Sequence, residues 1–320
     1  MFTMFQSAIA AVITFFMMLY GLIAGVNFND TIKKYKENVN SVEAYSNTLE
    51  TAIPQTDIYT MIKNHFEAEL PAGKTEKKVI VLGFDGGRAD ALSLLDGSTE
   101  NSAISYLLST NGTAQIGYCG GVNYPKFHKQ DTSTAPGWAA ILTGQWADVN
   151  GVKGNGMPKN QDCPSLLVSL VEEKTINSSA FYVSWNGHFV DDDSTYIHEK
   201  QYIADQKLDV TFLDAGDDDG TFDNTYADVT SADCTDFIFT IFEYPDHNGH
   251  DTGFCIENPA YADAFRENDA QCKLIIDAIE SRDTYETEDW LIILTSDHGG
   301  YNTGHGFLTI QERMTFIVAR

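Results

Sequence analysis

The chain has 320 residues and carries 46 Asp and Glu against 20 Lys and Arg, a formal charge of -26. A surface of that sign repels phosphate backbones and excludes nucleic-acid binding through a basic face, although bound cations can reverse the sign locally at a small site. With 43% hydrophobic and 21% charged residues the chain can bury a large core, and it shows neither a heptad run nor a repeat of roughly 20–50 residues.

Residues 7–26 (SAIAAVITFFMMLYGLIAGV) contain no charge and are long enough to cross a bilayer as a helix. Residues 1–27 are therefore expected to be a transmembrane anchor or a signal sequence, and the sequence leaves both open. Lys33, Lys34 and Lys36 follow and favour a cytoplasmic carboxyl side. That opposes the reading adopted below, a membrane-anchored or secreted protein with its catalytic domain extracytoplasmic. Residues 28–75 are polar and helix-like, broken by Pro54, Pro71 and Gly73, and read as a helical stalk. A catalytic domain is expected over 76–320.

Four β-branched or aromatic apolar runs follow, at 79–84, 180–184, 237–242 and 290–295. Such runs are typical of strands buried on both faces. Helical patterns lie between them, at 89–95, 164–173 and 260–280. The alternation predicts an α/β fold, a three-layer α/β/α sandwich with a mostly parallel central sheet. Asp214 to Asp223 (DAGDDDGTFD) fails the EF-hand spacing and reads as a solvated acidic turn. The five cysteines have no C-x-x-C spacing, so neither a zinc finger nor a redox motif is supported; one or two disulfides outside the cell would leave a thiol over.

Three of the four strands run into acidic or histidine groups. The first ends in Asp85, the third leads to Glu243-Tyr-Pro-Asp246-His-Asn-Gly-His250, and the fourth to Asp297-His298-Gly-Gly and then His305. Ligands in open α/β sheets bind outside the carboxyl ends of strands, so these groups should meet in one crevice. Carboxylates and imidazoles in one place need cations, and this mixture of oxygen and nitrogen donors suits zinc, with manganese or iron also compatible. Asp246 and His250, four apart, fall on one side of a helical turn. The nucleophile candidate lies in Asp131-Thr-Ser-Thr134-Ala-Pro136-Gly-Trp138. There Thr134 or Ser133 would stand before a helix amino end that favours an anion.

These residues resemble the alkaline phosphatase superfamily, and most of all its type I phosphodiesterase/nucleotide pyrophosphatase branch. The resemblance covers about Lys77 to Arg320 and rests on FDGGRAD, STAPGW, LTG, EYPDHNGH, TSDHGG and GHG in that order. It implies two zinc ions, one held by Asp85, Thr134, Asp297 and His298 and the other by Asp246, His250 and His305. It implies Thr134 as the nucleophile that forms a phospho-threonine, and a phosphodiester or nucleotide small molecule as substrate. The branch usually carries Asn three residues after the nucleophile, where this chain has Gly137; the Gly137 amide or Asn155 would take over its phosphate oxygen. Members usually continue past the last histidine with another strand and helix, whereas this chain ends at Arg320. Trp138 and Tyr244 are read either as stacking surfaces for a leaving group or as core. His188 and His128 are read as loop or core histidines rather than pocket residues, and His247 as pointing away.

Three other readings stay open. A phosphomonoesterase or phosphoethanolamine-type transferase would share the hydroxyl nucleophile, and a non-catalytic metal-bound surface protein would share the fold. A sulfatase would need a Cys or Ser followed by x-Pro-x-Arg, which this chain lacks at Thr134.

Overall fold

The computed structural model describes residues 52–95, 97–121, 130–307 and 309–320. The expected membrane segment, the first part of the expected stalk and His128 lie outside the described residues. Among the described residues no helix is long and apolar enough to cross a membrane.

Eight strands form one sheet: β1 (Ile53–Pro54), β2 (Glu76–Phe84), β3 (Thr113–Tyr118), β4 (Ser179–Val183), β5 (Val210–Asp214), β6 (Phe237–Phe242), β7 (Glu288–Ser296) and β8 (Met314–Ala319). Their order is β1-β3-β8-β7-β2-β6-β4-β5. Strand β8 runs antiparallel to both neighbours, and every other pairing is parallel. The four expected strands are β2, β4, β6 and β7. The other four escaped because they lack long apolar runs or lie at the ends of the chain. In β3 (TAQIGY) the first three residues are exposed, and β5 (VTFLD) is an edge strand buried fully only at Val210.

Side-chain alternation explains why the sheet has two covered faces. Val79 and Val81 of β2, Phe237, Phe239 and Ile241 of β6, and Phe181 of β4 enter one core with Trp138, Leu142 and Leu167. Their neighbours Ile80, Leu82, Phe84, Ile238 and Phe242 enter a second core with Leu107, Phe265 and Ile276. Helices Asp57–Glu67, Thr134–Thr143 and Leu166–Glu172 supply the first face, and Ala103–Ser109 and Pro259–Glu280 the second. The result is the expected three-layer sandwich.

The described part of the expected stalk is not a linker. Helix Asp57–Glu67 buries Ile58, Ile62 and Phe66 in the first core, each contributing about 2 kcal/mol of apolar burial, and β1 extends the sheet. The polar composition misled because one apolar stripe, at three- and four-residue spacing, is enough to dock a helix. The acidic turn is also only partly solvated. Asp217 caps helix Asp218–Thr230 by accepting from the Gly220 amide at 2.8 Å. Asp218 is buried and accepts from Ser184 Oγ and from the Glu243 amide. All five cysteines are free thiols.

Candidate metal centre

Strands β7, β2 and β6 are adjacent and in register, with Phe84 opposite both Ser296 and Phe242. Register therefore brings Asp85, Asp297 and Glu243, each one residue past its strand, to the same level at the carboxyl edge. Gly86 closes the corner. Its amide donates to Asp297 Oδ1 at 3.2 Å. At φ +66 it also leaves room for Asp246, whose Oδ1 a Cβ there would meet at 2.8 Å, so the turn needs glycine.

Helix Tyr244–Thr252 presents Asp246 and His250 one turn apart, and the loop after β7 presents His298 and His305. The donor atoms of Asp85, Asp246 and His298 all lie within 4.8 Å of one another, as do those of Asp246, His250 and His305. Asp297 joins the first group through His298 Nε2, 3.3 Å from its Oδ2. All six carboxylate and imidazole ligands expected from the sequence thus meet in one crevice, with Asp246 facing both groups.

The imidazoles carry the clearest chemical signature. His250 Nδ1 lies 3.0 Å from the Thr303 carbonyl, His305 Nδ1 3.0 Å from the Thr132 carbonyl and His298 Nδ1 2.8 Å from the Gly299 carbonyl. A carbonyl only accepts, so in the neutral rings each Nδ1 carries the proton and each Nε2 a lone pair. Those lone pairs converge: the Nε2 atoms of His250 and His305 are 3.1 Å apart, and His298 Nε2 is 3.4 Å from Asp85 Oδ1. Asp246 Oδ1 and Asp297 Oδ2 are buried without a hydrogen-bond partner. Orphaned carboxylate oxygens facing orphaned imidazole lone pairs fit divalent cations bound by oxygen and nitrogen.

Charge balance points the same way. Burial pushes the Asp297 carboxyl well above its usual range, and nearby Asp85 adds to the rise. Burial also raises Asp85, against the His298 hydrogen bond. For His298, burial opposes the charge, but Asp297 and Asp85 outweigh it and drive its pKa up to about 10. His305 goes the other way, down to about 3, through burial and the neighbouring His298 charge. Such shifts are what like charges packed together without counter-ions produce. Glu243, absent from the sequence-based ligand set, lies buried beneath the site with Oε1 unpartnered; burial, then Asp85 and Asp246, push its carboxyl well above the usual range. Its signal in the sequence was a lone carboxylate between an apolar strand and Asp-x-x-x-His.

Thr134 is the first residue of helix Thr134–Thr143, and its Oγ1 lies 3.4 Å from Asp85 Oδ1 and 3.5 Å from His298 Nε2. Ser133 precedes the helix and makes neither contact. Asn155 Oδ1 accepts from the Ala135 amide at 2.9 Å, which sets its side chain at the amino end beside Thr134. Of the other two substrate-contact expectations, Gly137 is overturned and Trp138 follows its alternative reading as core. The Gly137 amide donates to the Ser133 carbonyl at 2.9 Å within the helix, so it is not free for a phosphate. A Cβ at Gly137 would lie 2.7 Å from Asp297 Cβ and 2.8 Å from the Asp297 carbonyl oxygen; the helix is packed too close for any side chain. Trp138 is fully buried and donates its Nε1–H to Asp85 Oδ2 at 2.8 Å, so it stacks on nothing in the crevice. The Tyr244 hydroxyl meets Asp219 and Gln271. His188 is wholly buried among Phe181, Trp185 and Tyr196, and His247 is exposed. Arg88, the cation nearest the motif in sequence, is engaged by Asp90 and the Phe254 carbonyl.

Among the solved structures compared, one shares the fold. A putative sulfatase from Bacteroides thetaiotaomicron VPI-5482 is 13% identical, with 77% of this chain and 64% of that one covered and a TM-score of 0.51. Murine ectonucleotide pyrophosphatase/phosphodiesterase 5 is 20% identical, with 69% of this chain covered and a TM-score of 0.47; the match spans 57% of that chain. Alkaline phosphatase from the Antarctic bacterium TAB5 is 14% identical over 77% of this chain and 91% of that one, with a TM-score of 0.47. No curated protein matches the sequence. The profile of the type I phosphodiesterase/nucleotide pyrophosphatase family matches residues 79–307, a span that begins on β2 and runs through every ligand-bearing strand end to His305. The motifs and the crevice they build therefore have one source: the chain belongs to the type I phosphodiesterase/nucleotide pyrophosphatase family.

Proposed function

We propose that the protein hydrolyses phosphodiester or pyrophosphate bonds of a nucleotide or similar small molecule, with Thr134 as nucleophile. One observation carries this reading: three imidazole Nε2 atoms and the carboxylates of Asp85, Asp246 and Asp297 converge beside the Thr134 hydroxyl. Asp85, Asp297, His298 and Thr134 would hold one cation, and Asp246, His250 and His305 a second, zinc being the best match to the donors. Two bound cations would supply Lewis-acid stabilisation of the phosphoryl oxygens and ease deprotonation of a hydroxyl.

The chain's own groups then do the rest. The helix amino end under Thr134 favours the anionic phosphoryl group. Thr134 Oγ forms the bond to phosphorus as the bond to the leaving-group oxygen breaks, and water later releases the phosphoryl group from Thr134. Asn155 keeps Oδ1 on the Ala135 amide, which leaves its Nδ2 to donate to a phosphate oxygen. With Arg88 engaged elsewhere, the extra charge of a monoester finds no guanidinium from the motif, which favours diesters over the phosphomonoesterase and phosphoethanolamine-transferase readings. We place residues 1–27 as a membrane anchor or signal sequence that puts residues 76–320 outside the cytoplasm; protease protection in sealed cells tests this.

The activity test uses the full chain loaded with zinc, comparing bis(p-nitrophenyl) phosphate, p-nitrophenyl phosphate and p-nitrophenyl sulfate. The diester should turn over fastest, and Thr134→Ala should abolish turnover while retaining most of the metal. A dominant monoester or sulfate rate overturns the choice of substrate. Unchanged turnover in Thr134→Ala overturns the nucleophile, and no turnover of any substrate by the fully loaded wild type would favour a metal-bound binding protein.

A further inference from the structure

Asp85 divides its two carboxylate oxygens between different partners. Oδ1 faces the crevice, 3.4 Å from both Thr134 Oγ1 and His298 Nε2. Oδ2 accepts the Trp138 indole N–H at 2.8 Å. Thr134 and Trp138 are four residues apart on one helix, so they project from the same side. One helical turn therefore delivers the hydroxyl to one Asp85 oxygen and the indole to the other.

The indole has a seat made for it. A Cβ at Gly83, on the strand that ends in Asp85, would lie 2.6 Å from Trp138 Cη2. Phe239 on β6 meets the indole edge to face, with centroids 5.7 Å apart and planes at 85°. Trp138 has no solvent exposure, and its single polar atom is spent on Asp85. The chemistry of the donor matters as well. A buried carboxylate oxygen needs a donor, and Lys or Arg would satisfy it while cancelling the charge that attracts a cation. A neutral indole N–H satisfies Oδ2 and leaves the negative charge available at Oδ1.

We propose that Trp138 is a positioning residue for the cation site: its indole N–H fixes the rotation of the Asp85 carboxylate so that Oδ1 points at the cation shared with Thr134 and His298. This rests on the metal reading above and adds to it a residue that itself touches neither cation nor substrate.

The test is a set of zinc-binding isotherms on the full chain, with metal-free thermal midpoints as a control. Trp138→Phe keeps a ring in the seat and removes the N–H; it should weaken the tighter zinc site by about 10- to 100-fold, the usual range for groups that orient a metal ligand. Asp85→Asn should weaken it further. The double variant should then match Asp85→Asn alone, because the indole acts only through that carboxylate. Gly83→Ala retains Trp138 but crowds its ring, and should weaken zinc in the same direction should Trp138→Phe fail to fold.

Zinc affinity within about twofold of wild type in folded Trp138→Phe overturns the proposal, as do additive losses in the double variant. A lower metal-free midpoint with an unmoved isotherm also overturns it, by showing a packing role alone. Unchanged affinity in Asp85→Asn is a different failure: it removes the cation site itself, and the positioning role with it.

Discussion

The two halves of the crevice are built from different materials. Asp85, Asp297 and His298 stand on the ends of adjacent central strands and are fully buried, held by the Gly86 amide, the Trp138 indole and the Gly299 carbonyl. His250 stands on a helix at the surface with its side chain 43% exposed, and His305 on a loop tied down through Thr132. The strand-borne half is fixed by sheet register and low dielectric, which would suit the positioning of the proposed nucleophile. The open half has access to solvent, which in the proposed reaction would suit the entry of water. Asp246 is the hinge between them, with one oxygen 3.6 Å from His305 and the other 3.4 Å from His250, and with the His298 charge close by. Burial opposes its charge, but the His250 hydrogen bond and the imidazoles outweigh it and hold its carboxyl below the usual range.

The sharpest way to break this contrast is to remove what the halves share. Asp246→Asn should abolish tight binding of both cations and lower diester turnover about a thousandfold or more, whereas His250→Ala should cost one cation per chain and spare the buried site. Metal analysis after gel filtration, beside the rate assay, reads both. Equal loss of both cations in His250→Ala would show that the halves are a single unit.

Gly137→Ala probes the buried half alone. Its new Cβ would press on the Asp297 backbone, which cannot rotate aside, so urea unfolding should show a loss of about 3 kcal/mol. No loss would mean that helix Thr134–Thr143 can slide, and that the buried half is less rigid than its contacts imply.

A smaller effect sharpens the seat of the open half. Asp218 accepts from the Glu243 amide at the start of the helix that carries Asp246 and His250. Burial raises its carboxyl from the ordinary 3.8 to about 6. Between those values the folded chain holds a proton that the unfolded chain has lost, so stability falls as pH rises through this window and the cost is complete above it. Asp218→Asn stays neutral and can still accept from Glu243. Its stability relative to wild type should therefore rise by about 2 to 3 kcal/mol between acid and neutral pH; a flat difference across that range would show that Asp218 is not strained by burial.

The ligands were readable because each follows an apolar run long enough to be a central strand, and strand ends in a parallel sheet converge wherever the strands are neighbours. Nothing in the linear order says that β7, β2 and β6 are those neighbours; the pairing does. The described part of the stalk was misread because three apolar residues in helix Asp57–Glu67 weigh little in a polar composition, yet they pack against the sheet. Gly137 was placed at the substrate because it takes the position of the family's Asn, and Trp138 was left open between a stacking surface and core. A helix turns every residue to a different side, and here the sides that carry them face Asp297 and Asp85.

The sequence by itself determined the class of fold, the ordered set of carboxylates and imidazoles, and Thr134 at a helix start. These depend on local periodicity and on residue chemistry, which a single chain displays directly. Only the tertiary structure decided that Asp246 lies within reach of both groups, that Gly137 is a point of close packing and that the Trp138 indole donates to Asp85. Each of these depends on which atoms approach across the sheet edge, and such approaches are set by strand register and helix packing between residues far apart in the chain.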